Sequence, residues 1–228
     1  MEYGCKISKF DARDYKLDAA TVAAYEFPKE FINDPLPRVK NQGVVSSCVA
    51  HALSTILEYH SHPNTAKLST NFIYGIQKEL FGRSDSGMYM SQACKIALKY
   101  GDMLERDCPG NTEVPLCHSI ASSAKDDENK ISTAYNYHIF AYYSCNSIND
   151  IKYSLIHHGP VLASLKWSNL YRVNKDGILV GKLLKNSGYH AFVVYGYNEI
   201  GFLCQNSWGD IWGDNGRFIL PYDITFAE

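Results

Sequence analysis

The chain has 228 residues, of which 46% are hydrophobic and 20% charged, and its formal net charge is −2. A chain of this length and balance buries a substantial core, whereas a nucleic-acid-binding surface would require a dense field of Lys and Arg. No apolar run approaches the roughly 18 residues needed to span a bilayer, so we expect neither nucleic acid nor a membrane as a partner.

The N-terminus lacks a basic stretch followed by an apolar one, so we predict no signal peptide and a protein that is cytoplasmic or delivered to a host cell. The seven cysteines include no C-x-x-C pair. We therefore expect buried thiols or one loop disulfide rather than a metal site, and a reducing compartment. Neither a metal nor a cofactor is predicted.

The first half of the chain is predicted to be helical. Residues 1–37 are polar and irregular and are expected to form an extended N-terminal arm. Apolar residues then recur at three- and four-residue steps and predict three helices, over residues 48–60, 71–81 and 90–100. Ser46 or Ser47 is expected to cap the first helix, while Gly82 and Gly101 are expected to end the second and third.

The second half is predicted to be rich in strands. A polar stretch around 122–130 is the expected boundary, which gives a helical domain over 38–125 and a β-rich domain over 126–228. One helix is expected after Ser147, and Gly159 ends it. Strands are expected over residues 161–167, 190–197, 202–205 and 217–220. Helices first and strands second predict an α+β protein.

Cys48 is the residue that points most directly to a function, because it stands at the start of the first predicted helix. The unpaired N–H groups of a helix N-terminus favour a thiolate, and a nearby imidazolium lowers the pKa of the thiol further. His190 and Asn206 lie 142 and 158 residues downstream, the order expected of a Cys-His-Asn triad in which the amide orients the imidazole. Gln42 is expected to donate to an oxyanion, and Trp208 to shield the triad.

Each of these residues alone is more often structural than catalytic, but their order, spacing and local context together favour catalysis. Four segments resemble the papain and cathepsin family of cysteine peptidases, of which the last is the most specific: residues 39–43, 47–50, 188–197 and 206–216. The resemblance implies a papain-like two-lobed fold, with Cys48 on a helical left domain. It places His190 and Asn206 on a β-barrel-like right domain.

The same resemblance implies an endopeptidase that forms a thioester acyl-enzyme on protein or peptide substrates, with a proteinaceous inhibitor as a further partner. By alignment, Ser164 and Ala191 would line the pocket for the side chain two residues before the cut. Of the family's glycine-rich cleft wall only Ser86 and Gly87 are present. We expect the chain to lack the family's inhibitory pro-segment and to be controlled by expression, delivery or substrate access.

Three departures surround the nucleophile, where Val45, Ser46 and Val49 replace the family's usual cysteine, glycine and tryptophan. They leave open a catalytically silent papain-fold binding protein. A thiol acyltransferase or amidase with the same triad is a further alternative. A metal hydrolase based on His157 and His158 is disfavoured, because adjacent residues of a helix point to different faces.

Overall fold

The computed structural model of the chain describes residues 3–9, 15–61, 66–81, 86–110, 114–224 and 226–227. Within these ranges the α-helices are Ala19–Ala23 (α1), Cys48–His60 (α2), Thr70–Phe81 (α3), Met90–Tyr100 (α4), Val114–Lys125 (α5), Glu128–Ala134 (α6) and Ile148–His157 (α7). A 3₁₀ turn, Tyr135–Tyr137, follows α6. No helix in the described ranges is long and apolar enough to cross a membrane.

The helical half is built around α2, which is buried from Cys48 to Glu58. Helices α3 and α5 approach closely at Gly75, where a Cβ would lie 2.5 Å from the Cβ of Ala121. Gly101 ends α4 with φ 75°, as expected for a residue that leaves the helix in a left-handed conformation. The predicted stop at Gly82 lies outside the described residues.

The strands are Cys5–Lys6 (β1), Tyr15–Lys16 (β2), Phe31–Ile32 (β3), Met88–Tyr89 (β4), Tyr143–Ser144 (β5), Val161–Trp167 (β6), Arg172–Val173 (β7), Leu179–Val180 (β8), Gly188–Tyr197 (β9), Gly201–Gln205 (β10) and Arg217–Pro221 (β11). In the described part of the chain the main sheet has seven strands, ordered β11-β10-β9-β1-β4, with β3 and β6 also paired to β9. The long strand β9 is therefore the organising strand of the second half.

The two halves meet where α2 packs on β9. Ala52 and Ile56 of α2 form one buried cluster with Val193 and Tyr195 of β9. Burying these apolar side chains against each other stabilises the contact between the lobes. The element that carries Cys48 and the strand that carries His190 are thus in direct contact.

The α+β class and the papain-like fold are confirmed, but the sheet of the described residues is open rather than a closed barrel. The segment 1–37, expected to be irregular, contains α1 and the short strands β1, β2 and β3. Helical packing also continues beyond residue 125, since Ala134 is buried in a cluster with Phe72 of α3. The division into an arm and two domains at 37 and 125 stays a prediction.

Candidate active site

Cys48 is the first residue of α2 and is fully buried. Its sulfur accepts a hydrogen bond from the backbone N–H of Ala191, at 3.5 Å, and the backbone amides of Cys48 and Val49 also face it. Ser47 occupies the N-cap position but makes no capping bond with its side chain. Its Oγ lies 3.2 Å from Nδ1 of His51 instead, so a serine stands at the predicted N-cap position but its side chain does not cap the helix.

The predicted histidine, asparagine and tryptophan contact one another. His190 is on β9, and its Nε2 donates to Oδ1 of Asn206 at 2.7 Å. The indole of Trp208 stacks on the imidazole with ring centroids 4.3 Å apart. Trp167 meets the same imidazole edge-on at 5.0 Å. The buried Nδ1 of His190 has no hydrogen-bond partner among the described residues, so one ring nitrogen is held and the other is unengaged.

Gln42 lies in a loop that is tied to the opposite lobe. Its backbone N–H donates to the carbonyl of Ser207 at 2.8 Å, and its Oε1 accepts from Oγ of Ser207 at 2.6 Å. Its Nε2 donates to the carbonyl of Val45 at 2.8 Å. One N–H of this amide is thus used within the loop, and the second is the group available for the predicted oxyanion role.

The two predicted pocket residues and the two predicted residues of the glycine-rich wall lie on opposite walls of the cleft. Ser164 and Ala191 are buried cross-strand neighbours on β6 and β9. Gly87 is buried on the helical wall; its N–H donates to the hydroxyl of Tyr74 at 3.3 Å, and its carbonyl accepts from Nζ of Lys78. Ser86 beside it is exposed. Their roles in substrate binding stay predictions.

The N-terminal arm runs through this cleft, which the sequence did not indicate. Strand β1 lies between the lobes, parallel to β4 on one side and antiparallel to β9 on the other. The carbonyl of Gly4 accepts from the N–H of Met88 at 2.7 Å. The backbone amide of Gly4 faces the sulfur of Cys48. The arm therefore covers the predicted nucleophile.

A family model for papain family cysteine proteases matches residues 29–225. The chain belongs to the papain family of cysteine proteases. A cysteine protease of Blomia tropicalis is 25% identical over 79% of the chain, and the viral cathepsin of Adoxophyes honmai nucleopolyhedrovirus is 26% identical over 92% of it. The matches cover 56% and 61% of these two relatives, so the chain spans little more than half of their length.

Among solved structures, xylellain, a cysteine protease from Xylella fastidiosa, resembles this family member with a TM-score of 0.80 and 26% identity. The match covers 97% of the chain and 90% of xylellain. Digestive procathepsin L 3 of Tenebrio molitor, at TM-score 0.71 and 16% identity, shares the fold.

Burial shifts the pKa values of Cys48 and His190, the two predicted reactive groups, in opposite directions. It raises the pKa of the Cys48 thiol to about 11, against the smaller lowering effect of backbone hydrogen bonds. It lowers the pKa of His190 to about 4, although the hydrogen bond to Asn206 opposes this. With the arm in place a neutral thiol and a neutral imidazole are favoured. The lowered thiol pKa expected from the helix N-terminus is thus not found in this covered state.

The remaining titratable groups of this papain-family chain form no metal site in the described residues, where no cluster of three His, Cys, Asp or Glu side chains could hold an ion. Cys108 is buried and outside any disulfide. Sequence reasoning missed His51, whose Nδ1 lies 2.9 Å from the carbonyl of Ser47 one turn below the nucleophile. The only feature of the sequence that could have indicated this contact is the position of His51, three residues after Cys48 in the same predicted helix.

Proposed function

We propose that the chain is a cysteine endopeptidase that hydrolyses protein or peptide substrates, with Cys48 as nucleophile. The arrangement of His190 carries the proposal: Nε2 is bound to Asn206, while the buried Nδ1 has no hydrogen-bond partner among the described residues. A ring oriented at one nitrogen and unengaged at the other is suited to accept a thiol proton. The Cys48 sulfur lies 3.5 Å from the backbone nitrogen of Ala191, the residue that follows His190 on β9.

In the acylation step, Nδ1 of His190 takes the thiol proton and the Cys48 sulfur bonds to the carbonyl carbon of the substrate. The backbone N–H of Cys48 and the side-chain amide of Gln42 donate to the resulting oxyanion. The imidazolium then protonates the leaving amine as the C–N bond breaks. The C-terminal fragment of the substrate leaves as this amine. The N-terminal fragment stays bound to Cys48 as a thioester.

In the deacylation step, His190 takes a proton from water, whose oxygen attacks the thioester carbon. The C–S bond breaks, the carboxylic acid leaves and the proton returns to the thiol. Asn206 keeps the ring in one orientation through both steps, and the stacked Trp208 excludes water from that hydrogen bond. Binding of a proteinaceous inhibitor in the same cleft stays a prediction.

Mass spectrometry of peptides released from a denatured proteome tests this function. We expect new internal cleavages with the wild type and with Cys145→Ala, a control that removes a partly buried thiol far from the triad in sequence. Cys48→Ala should release none. Cleavage that persists in Cys48→Ala would refute the assignment of the nucleophile, and loss of cleavage in the Cys145 control would show that the assay reports on general thiol loss.

A further inference from the structure

The loop that leads into the histidine strand, residues 181–187, carries exposed lysines and leucines side by side. Residues 181–186 are exposed, and the loop ends at Gly188, the first residue of β9. Leu183 and Leu184 are 51% and 40% exposed, and a lysine stands on each side of the pair. Large apolar side chains grouped together at the surface are typical of a site that binds a partner.

Two neighbouring segments extend this loop into a patch. Nζ of Lys166, on β6, donates to the carbonyl of Lys185 at 3.5 Å. Leu170 is 47% exposed, and a Cβ on Gly181 would lie 2.4 Å from its carbonyl oxygen. We call this surface the basic patch, and its members are Lys166, Leu170, Lys182, Leu183, Leu184 and Lys185.

The basic patch is positively charged although the chain as a whole is not. Residues 166–187 contain five Lys or Arg and one acidic residue, Asp176, whereas the formal net charge of the chain is −2. Asp176 lies in the turn between β7 and β8 rather than in the loop. No lysine of the patch forms an ion pair with any residue that the structure describes. These charges can therefore pair with carboxylates of a partner.

The basic patch adjoins the cleft beside the predicted catalytic histidine. Lys166 pairs in register with Tyr189, the residue before His190. Tyr189 in turn packs against the buried cluster that contains Cys48. A peptide that leaves the cleft past Tyr189 therefore passes directly onto the patch.

We propose that the basic patch is an exosite that binds an acidic, leucine-containing segment of the protein substrate, outside the residues held in the cleft. The identity of the partner as a substrate rests on the proposed peptidase function, whereas the binding of an acidic peptide does not. Carboxylates pair with the three lysines, and apolar side chains cover the three leucines.

A peptide fits this surface better than a bilayer does. The patch adjoins the cleft, so a bound substrate chain can reach both. None of its leucines is more than about half exposed, too little to insert among acyl chains as the apolar face of a membrane-bound helix does.

Binding of short fluorescent peptides to the full chain tests the patch without using catalysis. The acidic probe is acetyl-Asp-Leu-Asp-Leu-Glu, and the matched neutral probe is acetyl-Asn-Leu-Asn-Leu-Gln. By anisotropy at about 20 mM salt we expect the acidic probe to bind about tenfold more tightly, and about twofold more tightly at about 300 mM salt, because exposed charges are screened.

Two pairs of substitutions locate the binding. The patch variant combines Lys182→Gln with Lys185→Gln and should lose most of the preference for the acidic probe. The control combines Lys29→Gln with Lys99→Gln, two exposed lysines outside the patch, and should retain it. Equal binding of the two probes by the wild type, or an unchanged preference in the patch variant, overturns the proposal. Binding to vesicles of anionic phospholipid that the patch variant loses, with no preference for the acidic probe, also overturns it and identifies a membrane-docking surface.

The same two tails, joined to a peptide that the wild type cleaves in the proteome digest, test the exosite role. We expect the acidic tail to lower KM about tenfold for the wild type and the control, and about twofold or less for the patch variant. If the probes are discriminated but the two KM values are equal, the exosite role fails. If the wild type cleaves no peptide, the proposed function and the substrate role fail together, while the probes still decide whether the patch binds an acidic peptide.

Discussion

Lys40 and Glu58 form a buried ion pair whose removal should destabilise the chain strongly. The Nζ of Lys40 lies 2.6 Å from Oε1 of Glu58, and the two side chains are only 7% and 6% exposed. The same Oε1 also accepts from the backbone N–H of Leu68 at 2.7 Å. The pair fastens the start of the Gln42 loop to helix α2, which carries the nucleophile.

The variant Lys40→Met leaves a carboxylate buried without its cation. Breaking one side of a buried pair typically costs about 3–5 kcal/mol, which is a large part of the roughly 5–15 kcal/mol that stabilises a globular domain. Glu58→Gln should lower the free energy of unfolding by a similar amount, because the ammonium of Lys40 then stays buried without a carboxylate partner. The amide oxygen of the new side chain can still accept from the N–H of Leu68. The double variant buries no charge at this position, so its loss should be smaller than the sum of the two single losses.

Urea unfolding of the four proteins measures these free energies. We expect the double variant to be more stable than additivity predicts by about 2 kcal/mol or more. Arg38→Met is the matched control, because Arg38 pairs with Glu105 at 3.1 Å but the side chains are 55% and 47% exposed; such a pair contributes about 1 kcal/mol or less. A Lys40→Met cost no larger than that of the control, or strict additivity in the cycle, would refute the reasoning.

Two further predictions concern buried polar contacts. Asn206→Ala removes the acceptor for Nε2 of His190, and since a lost buried hydrogen bond costs about 1–3 kcal/mol, kcat should fall about ten- to a hundredfold; steady-state kinetics that show an unchanged kcat would count against the triad. Asp102 is buried, and burial raises its pKa from 3.8 to about 8 despite a hydrogen bond from Ser54. Between these values the folded chain binds a proton that the unfolded chain releases, so stability should fall as the pH rises from about 4 to about 8. Asp102→Asn cannot ionise and should flatten this slope; parallel urea midpoints for both proteins at pH 5, 6.5 and 8 would contradict it.

The helices that frame the site were predictable because their patterns are local. Helices α2 and α4 were predicted over 48–60 and 90–100 and have those bounds, since apolar residues at helical spacing are followed by a terminating signal such as Gly101. The strand with His190 was predicted from its apolar run, two residues short of its start at Gly188. His190 is paired with Asn206, and the Cys48 sulfur lies 3.5 Å from the backbone nitrogen of Ala191; the triad and its catalytic roles stay predictions.

Strand β1 could not be predicted from the sequence, because a two-residue strand has no periodicity and its partners lie far along the chain. Met88 and Tyr189, which pair with Cys5, lie 83 and 184 residues further along the chain, and nothing near Cys5 signals either contact. The thiol pKa was misjudged for the same reason. Local reasoning included the helix N-terminus at Cys48 but not the desolvation that comes from a segment packed over it.

The packing of α2 on β9 has a mechanical consequence for the enzyme we propose. Ala52 and Ile56 rest on Val193 and Tyr195 roughly one to two helical turns beyond Cys48. Separating the lobes at this contact would expose these buried apolar side chains to water, which costs free energy. Helix α2 is therefore held against the strand that carries His190 within about two turns of Cys48.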